Sequence, residues 1–309
     1  MKNILFIGGA GFIGSNLIKP FISNAQYKVF VYETPLANIS KVAPYDNEIT
    51  LIRGFLSDHD LLCTLILENK IDKVVHLVST LIPGSTYDDY KREYENIIFP
   101  TIKLMGFCAE KKIEFIYFSS GGTVYGNDSN EKFKEDDILA PISYYGLSKQ
   151  IIENSILFES RISKLRYLII RPSNPFGPGQ ALNGNQGLIA VAIGKILSDE
   201  ELVVWGDGKS VRDYIYIDDF ADAFFQLIEK NIENDIINIG SGFGYSINDI
   251  IKHLNVIVSE DVKVKYEKSR LVDVSRMVLD ITKLDSYINV KHTPLEFGIK
   301  QFYDFIKKN

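Results

Sequence analysis

Tyr145 and Lys149 stand at i and i+4 in the run Tyr144-Tyr145-Gly146-Leu147-Ser148-Lys149. On a helix that spacing puts both side chains on one face. A phenol beside an ammonium group is an acid–base device. The positive charge favours the phenolate and is expected to pull the tyrosine below its reference pKa of about 10. Such pairs are common on solvated helix faces, so the meaning of this one depends on its surroundings. Just upstream, Ser119-Ser120-Gly121-Gly122-Thr123-Val124-Tyr125-Gly126 closes the apolar run Phe115 to Phe118.

A second chemical signature lies at the start of the chain. Asn3 to Gly8 reads as a buried strand ended by glycine, and a helical pattern follows through Leu17, Ile18, Phe21 and Ile22. Between them, Gly9, Gly11 and Gly14 satisfy G-x-G-x-x-G. That spacing allows a tight turn, close approach of backbone to a pyrophosphate, and close helix–strand packing. The helix N-terminus then offers free N–H groups and partial positive charge to the phosphates. Tyr27 to Glu33 is a second apolar strand ending in an acid. Glu33 is placed to accept the ribose hydroxyls of NAD and to repel a 2′-phosphate.

Composition narrows the classes. The chain has 309 residues, 46% hydrophobic and 24% charged, with net charge −6. That is an ordinary globular protein of one large or two modest domains. The acidic balance argues against non-specific nucleic-acid binding. Cys63 and Cys108 sit in helix-like apolar patterns, and buried free thiols in a reducing cytoplasm are expected. Four histidines without a Cys/His cluster give no metal-site spacing. No apolar run approaches the length of a membrane span or a signal peptide.

Strands alternate with helices along the first half. Ile49 to Ile52, Asp72 to Val78, Ile113 to Ser119 and Tyr167 to Arg171 read as strands. Helices are expected at about 58–69 and over about 87–112, the latter with Pro100 as a kink. This order specifies an α/β fold, a doubly wound parallel sheet with helices on both faces. Pro/Gly-rich Arg171 to Gly179 is the strong linker signal. Beyond it the pattern is less regular: helix Leu188 to Leu197, strand Leu202 to Trp205, helix Asp218 to Glu229, strand Ile236 to Ile239, and strand Val278 to Ile281. Ser246 reads as the N-cap of a helix over Ile247 to Val258, and Pro294 opens the last helix.

Together these motifs resemble the extended short-chain dehydrogenase/reductase family, in its NAD-dependent nucleotide-sugar epimerase and dehydratase branch. The matching pieces are Gly8-x-x-Gly11-x-x-Gly14, His76-Leu77, Asn96, Ser119-Ser120-x-x-x-Val124-Tyr125-Gly126 and Tyr145-x-x-x-Lys149. They continue with Arg171-Pro172-x-Asn174, Gly177-Pro178, Arg212-Asp213-Tyr214, Asn238-Ile239-Gly240-Ser241-Gly242 and Arg270-x-x-Asp273-Val274. The resemblance implies a Rossmann domain holding NAD (1–173 plus 212–240) and a smaller mixed α/β domain holding a nucleoside diphosphate sugar (174–211 plus 241–309). It makes Tyr145 the proton acceptor and Lys149 its partner. Gly8, Gly11, Phe12, Ile13, Gly14, Glu33, Leu56, Leu77, Val78 and Pro172 would line the cofactor. Asn174, Arg212, Tyr214, Arg270 and Asp273 would grip the sugar nucleotide, with Met277 beside the C2 substituent. The family usually dimerises through the helices near 87–112 and 144–163, so a homodimer is expected. Ile97, Ile98, Ile102 and Leu104 could serve that interface or the core.

The chain departs from the family pattern in places that bear on chemistry. Ile7 replaces a threonine, Phe55 an aspartate that meets adenine, and Leu81 sits near a lysine position; Asp58 is then a helix cap. The usual catalytic Ser or Thr falls on Gly121, leaving Thr123, the favoured candidate, or Ser120 to replace it. The Asp-Glu pair of sugar dehydratases falls on Gly122 and Thr123, so elimination across C5 and C6 lacks its acid–base catalyst. The expectation is therefore an NAD-dependent 4-epimerase of UDP-glucose and UDP-galactose, or of their N-acetyl forms, acting through a 4-keto intermediate. A 4-ketosugar reductase, an epimerase of another sugar nucleotide, or a non-catalytic NAD sensor are the rivals.

Overall fold

A computed structural model of the chain describes residues 1–126, 131–184, 186–268 and 274–308. Seven strands form one parallel sheet: β1 (Lys2–Ile7), β2 (Tyr27–Glu33), β3 (Ile49–Arg53), β4 (Lys73–His76), β5 (Glu114–Phe118), β6 (Tyr167–Pro172) and β10 (Asp235–Ile239). Their order is β3-β2-β1-β4-β5-β6-β10. The chain thus lays strands to one side of β1, then returns to fill the other. Its switch point lies between β1 and β4, at their C-terminal ends, where a doubly wound sheet opens a crevice. The α/β doubly wound fold expected from the alternation is present.

Helices cover both faces because both faces of the sheet are apolar. On one, α1 (Phe12–Ile22) and α7 (Ile217–Glu229) pack over Ile4, Phe6, Val29 and Val31. Phe21 sits edge-on to Phe6, Tyr27 and Phe225. On the other, α2 (His59–Glu68), α4 (Phe99–Lys111) and α5 (Tyr144–Ser163) cover Leu5, Ile7, Val74, Phe115 and Tyr117. Ile97, Ile98 and Leu104 are buried there and Ile102 packs against them, so these residues serve the core.

The long helix expected over 87–112 is present as one continuous helical run made of α3 (Tyr87–Glu93), a π turn at Tyr94–Ile98, and α4. Pro100 has no N–H to give the carbonyl one turn back, and its ring crowds that carbonyl; the wider π turn relieves both problems. Asp58 behaves differently from the expectation. It precedes α2, but its carboxylate accepts from the Phe55 N–H (3.0 Å) instead of capping the helix. Ser246 does cap α8 (Ile247–Val258): its hydroxyl accepts from the Asp249 N–H, and the Asp249 carboxylate accepts from the Ser246 N–H.

A second, smaller sheet gathers β7 (Asn174–Phe176), β9 (Val211–Tyr216), β11 (Gly244–Ser246) and β13 (Arg276–Met277), all paired to β9 or through it. Strands β8 (Leu202–Trp205) and β12 (Val264–Glu267) pair in parallel. With α6 (Leu188–Leu197), α8 and α10 (Leu295–Lys308), these elements enclose a separate core of Phe176, Ile193, Tyr214, Leu254 and Phe302; the short α9 (Thr282–Tyr287) lies against β10. The strand expected over Val278 to Ile281 does not form. Leu279 N–H goes to the Asp213 carboxylate, and Val278 and Asp280 bond to Phe133, so no full ladder remains.

One buried node joins the parallel sheet to the segment after β5. Arg171, on β6, donates two hydrogen bonds to Glu153 of α5, at 3.0 and 2.6 Å. It also donates to the Tyr125 hydroxyl (2.9 Å), which in turn donates to Asn238 of β10 (2.7 Å). Both members of the ion pair are almost solvent-free. Removing one partner of such a pair strands the other charge, so Arg171→Met is expected to lower the free energy of unfolding by about 3–5 kcal/mol, read as a lower urea midpoint.

Candidate active site

The glycine loop is built by backbone contact. Gly8 has φ +83°, and a Cβ there would lie 2.8 Å from Val78 Cγ2. A Cβ on Gly14 would lie 2.6 Å from Gly9 Cα and 2.8 Å from the Gly8 carbonyl. Gly14 is therefore fixed by helix–loop packing. Gly11 differs: its ideal Cβ meets only the Gly8 carbonyl, at 3.6 Å, and the residue is exposed. Nothing inside the protein requires glycine there, whereas a ligand lying on the loop would. No side chain among the described residues caps α1, and its first turn, with Phe12 and Ile13, holds no acid. That is an uncompensated helix N-terminus, suited to phosphate.

Glu33 closes the far side of the loop. Its Oε1 accepts from the Ala10 N–H at 2.6 Å. Burial raises its pKa, opposed by that hydrogen bond and by the Arg53 charge. Leu56 is buried beside β3's end, and exposed Phe55 offers a ring next to it. Leu77 and Val78 follow β4, with the Leu77 N–H bonded to the Ile7 carbonyl at 3.0 Å. Pro172 lies at the end of β6 and accepts from the Gly121 N–H at 2.9 Å. Buried hydroxyls of Ser119, Thr123 and Ser173 have no hydrogen-bond partner among the described residues. An open Gly11, a bare helix end, an acid at the β2 terminus and orphaned hydroxyls at the strand ends fit NAD, with pyrophosphate on the loop. By contrast, no cluster of metal-ligating side chains occurs among the described residues.

Tyr145 and Lys149 occupy the first turns of α5, whose N-cap Ser143 accepts from the Gly146 N–H. Gly146 is needed here, since its Cβ would lie 2.6 Å from the Thr123 carbonyl. Lys149 is 3% exposed; its Nζ donates to the Phe118 carbonyl at 2.9 Å and lies over the Tyr117 and Tyr145 rings at 5.1 and 5.6 Å. Burial pulls its pKa down to about 8, with Glu93 and then Glu153 opposing. His76 beneath it is driven down to about 3 by burial and by the Lys149 charge, so it is neutral. The expected fall in the Tyr145 pKa does not occur. Burial raises it, and the group that relieves the phenolate is Ser120, through a hydrogen bond.

Of the two candidate hydroxyls, Thr123 Oγ1 is buried with no hydrogen-bond partner among the described residues, and Ser120 acts on the Tyr145 phenol. Position 121 holds no hydroxyl because Leu279 fills its space: a Cβ on Gly121 would lie 2.7 Å from Leu279 Cδ1. Gly122 is the reverse case. Its Cβ direction is open, with Ser120 Oγ at 3.8 Å and Asn174 Oδ1 at 4.0 Å as the nearest atoms. Asn174 thus borders the site, and its Nδ2 donates to the Asp213 carbonyl at 2.8 Å.

Other expected substrate residues are placed differently. Tyr214 is 7% exposed and packs in the small core, and Met277 is 1% exposed in a cluster with Val124, Tyr125, Phe133 and Leu279. Packing holds both side chains in these apolar clusters. Arg212 is half-buried on β9, opposite Met277, and donates to the Val211 carbonyl. Arg270 and Asp273 lie outside the described residues. Asp213 is the buried residue that the motif reading left without a role. Its carboxylate accepts from Ser241 N–H and Oγ, Gly242 N–H and Leu279 N–H, tying β9 to the turn after β10. A charged residue inside an apolar strand was the available signal.

The sequence profile of the NAD dependent epimerase/dehydratase family matches residues 4–240. The chain is 31% identical to a putative UDP-glucose 4-epimerase of Methanocaldococcus jannaschii, over 99% of both chains. It is 30% identical to a dTDP-4-dehydro-6-deoxyglucose reductase of Escherichia coli, over 99% of this chain and 98% of the other. The structure of UDP-glucose 4-epimerase from Thermotoga maritima, with UDP-glucose, superposes with a TM-score of 0.91 at 29% identity, covering 99% of each chain. With the doubly wound sheet, the bare glycine loop and the Tyr145–Lys149 pair in place, the chain belongs to the NAD-dependent epimerase/dehydratase family.

Proposed function

We propose that the protein is a 4-epimerase of nucleoside diphosphate hexoses, UDP-glucose and UDP-galactose or their N-acetyl forms, working through a 4-keto intermediate. The observation that carries this is the Tyr145–Lys149 pair at the start of α5, beside an open Gly122 where a dehydratase would need an acid. NAD held on the glycine loop would supply the hydride acceptor and donor for C4 of the sugar. Tyr145 takes the proton of the 4-hydroxyl and later gives it back. Ser120 donates to the phenolate and can relay to the same hydroxyl. Lys149 holds positive charge behind the phenolate. Gly8, Gly11 and Gly14 with Phe12 and Ile13 hold the pyrophosphate, Glu33 the adenosine ribose, and Leu56 the adenine. Leu77, Val78 and Pro172 wall the nicotinamide side. Asn174, Arg212 and Arg270 hold the sugar nucleotide, leaving the hexose able to turn over. In this reading 1–173 plus 212–240 form the cofactor unit and 174–211 plus 241–309 the sugar-nucleotide unit.

The identity to a dTDP-4-dehydro-6-deoxyglucose reductase favours a second reading, a 4-ketosugar reductase on the same scaffold. One assay separates them. Incubation with the four UDP-sugars and no added cofactor should interconvert one 4-epimeric pair; turnover of a 4-ketosugar only with added NAD(P)H would establish the reductase and refute the epimerase. Tyr145→Phe should lower turnover by at least ~10³-fold and Ser120→Ala by ~10²-fold, both with NAD still bound; full activity in either removes its assigned role.

Gly11→Ala meets no protein atom closer than 3.6 Å. It should leave the unfolding midpoint unchanged within about 0.5 kcal/mol while sharply weakening NAD retention, measured by cofactor released per protein. For assembly, Tyr94 and Phe99 beside α4 and Phe158 and Ile162 on α5 are exposed apolar side chains on the two helices that would pair. A homodimer through them predicts that Phe158→Asp shifts the mass seen by light scattering to that of one chain; a wild-type monomer would reject the dimer.

A further inference from the structure

Asn16, in the second turn of α1, is 2% exposed, and its side chain is fully engaged. Its Oδ1 accepts from Lys19 Nζ at 2.6 Å, while Nδ2 donates to the Phe12 carbonyl at 2.9 Å and to the Pro178 carbonyl at 3.0 Å. An amide offers both acceptor and donors, so all three contacts are made at once; a carboxylate could donate to neither carbonyl. The bond to Phe12 is local, one turn back in the helix. The bond to Pro178 is not. It draws the segment that follows β7 onto the first turns of α1.

That segment bends sharply. Gly177 and Gly179 have φ of +144° and +91°, and the Gln180 N–H returns to the Gly177 carbonyl at 3.2 Å. The bend sets Gly179 where three side chains converge. A Cβ there would lie 3.6 Å from Asn16 Nδ2, 3.7 Å from Phe12 Cδ2 and 3.7 Å from Lys41 Cδ. Phe12 opens α1, and Lys41 belongs to the chain that leaves β2, pinned by its buried neighbour Val42. Residues 177–180 therefore touch both lips of the crevice for the adenosine half of NAD. One lip is the helix end that would hold the pyrophosphate. The other continues from Glu33, which would hold the ribose.

We propose that residues 177–180, latched to α1 by Asn16, form a clasp across the cofactor crevice that sets how fast NAD leaves the protein. The proposal rests on the reading that seats NAD on the glycine loop, and it gives the epimerase reading a reason for cofactor retention. An epimerase ends each turnover with NAD as it began, so the cofactor need never leave, whereas a reductase must exchange it every time. A clasp joining the two lips favours retention. Its latch is a hydrogen bond between neutral groups, weak enough to open while the cofactor loads.

The test is the rate of cofactor release from the full chain. Protein loaded with NADH is mixed with excess NAD in a stopped-flow fluorimeter, and the loss of bound-NADH fluorescence gives the dissociation rate. Asn16→Leu keeps the volume and removes the donor, and it should speed release about tenfold, as for one lost hydrogen bond. Gly179→Ala acts from the strap side. Its Cβ meets only ordinary contacts, but alanine is strained at φ +91°, so the bend loosens while α1 is untouched. Release should quicken by a similar factor. Asn16→Ser, too short to reach Pro178, is measured in the same way if the leucine variant does not fold. A release rate unchanged in the folded variants overturns the proposal. Faster release from the Asn16 variant alone assigns the effect to α1 and overturns it too. A wild type that takes up no NADH removes the cofactor site and the clasp together. If the wild type holds NADH but converts no sugar nucleotide, the epimerase reading fails and the release rates still decide the clasp.

Discussion

Lys149 holds an ammonium group against the Phe118 carbonyl with almost no access to water, and an ion so placed costs several kcal/mol unless its surroundings compensate. Much of the architecture around the site follows from that requirement. The Phe118 carbonyl is available because β5 ends there, so the strand's last acceptor faces α5 instead of another strand. The Tyr117 and Tyr145 rings present their negative faces to the cation. Neutral His76 sits below, already desolvated, and takes a hydrogen bond with Thr101. These groups come from β4, β5, α4 and α5, so the sheet and both helices must be in place before the lysine can be buried.

Two further buried charges secure that arrangement. Arg171 binds Glu153 of α5, Tyr125 of the loop after β5, and the Glu135 carbonyl. It thereby sets the height of α5 over the strand ends, and with it Tyr145 and Lys149. Asp213 does the corresponding work for the small sheet, drawing Ser241, Gly242 and Leu279 to β9. Leu279, held this way, fills the space beside Gly121. Through Leu279, the buried Asp213 carboxylate thus bears on the space at position 121. The chemistry at this strand end is set from a segment more than a hundred residues away.

The open direction at Gly122, between Ser120 and Asn174, shapes what the site can do. A carboxylate there would create an acid–base pair for elimination; a hydrogen atom leaves room for a hexose. The family relationship includes both epimerase and reductase relatives, so the fold alone does not choose between them. The local groups, a phenol, an ammonium and no acid at position 122, serve either reaction.

The sequence by itself determined the doubly wound sheet, the glycine loop with its acid at Glu33, and the Tyr145–Lys149 pair. Each is written in short-range spacing: apolar runs for buried strands, i and i+4 for a helix face, and glycines where backbone must approach backbone. Several element boundaries were equally legible, such as Ser246 capping α8, because capping is local chemistry. Only the tertiary structure decided why Gly121 carries no hydroxyl and that Tyr214 and Met277 are buried in apolar clusters. Those facts depend on distances between segments that the chain order does not encode. The sign of the Tyr145 shift belongs with them: pairing with Lys149 favoured the phenolate, but burial opposes it and is the larger effect, and burial exists only once the chain has folded.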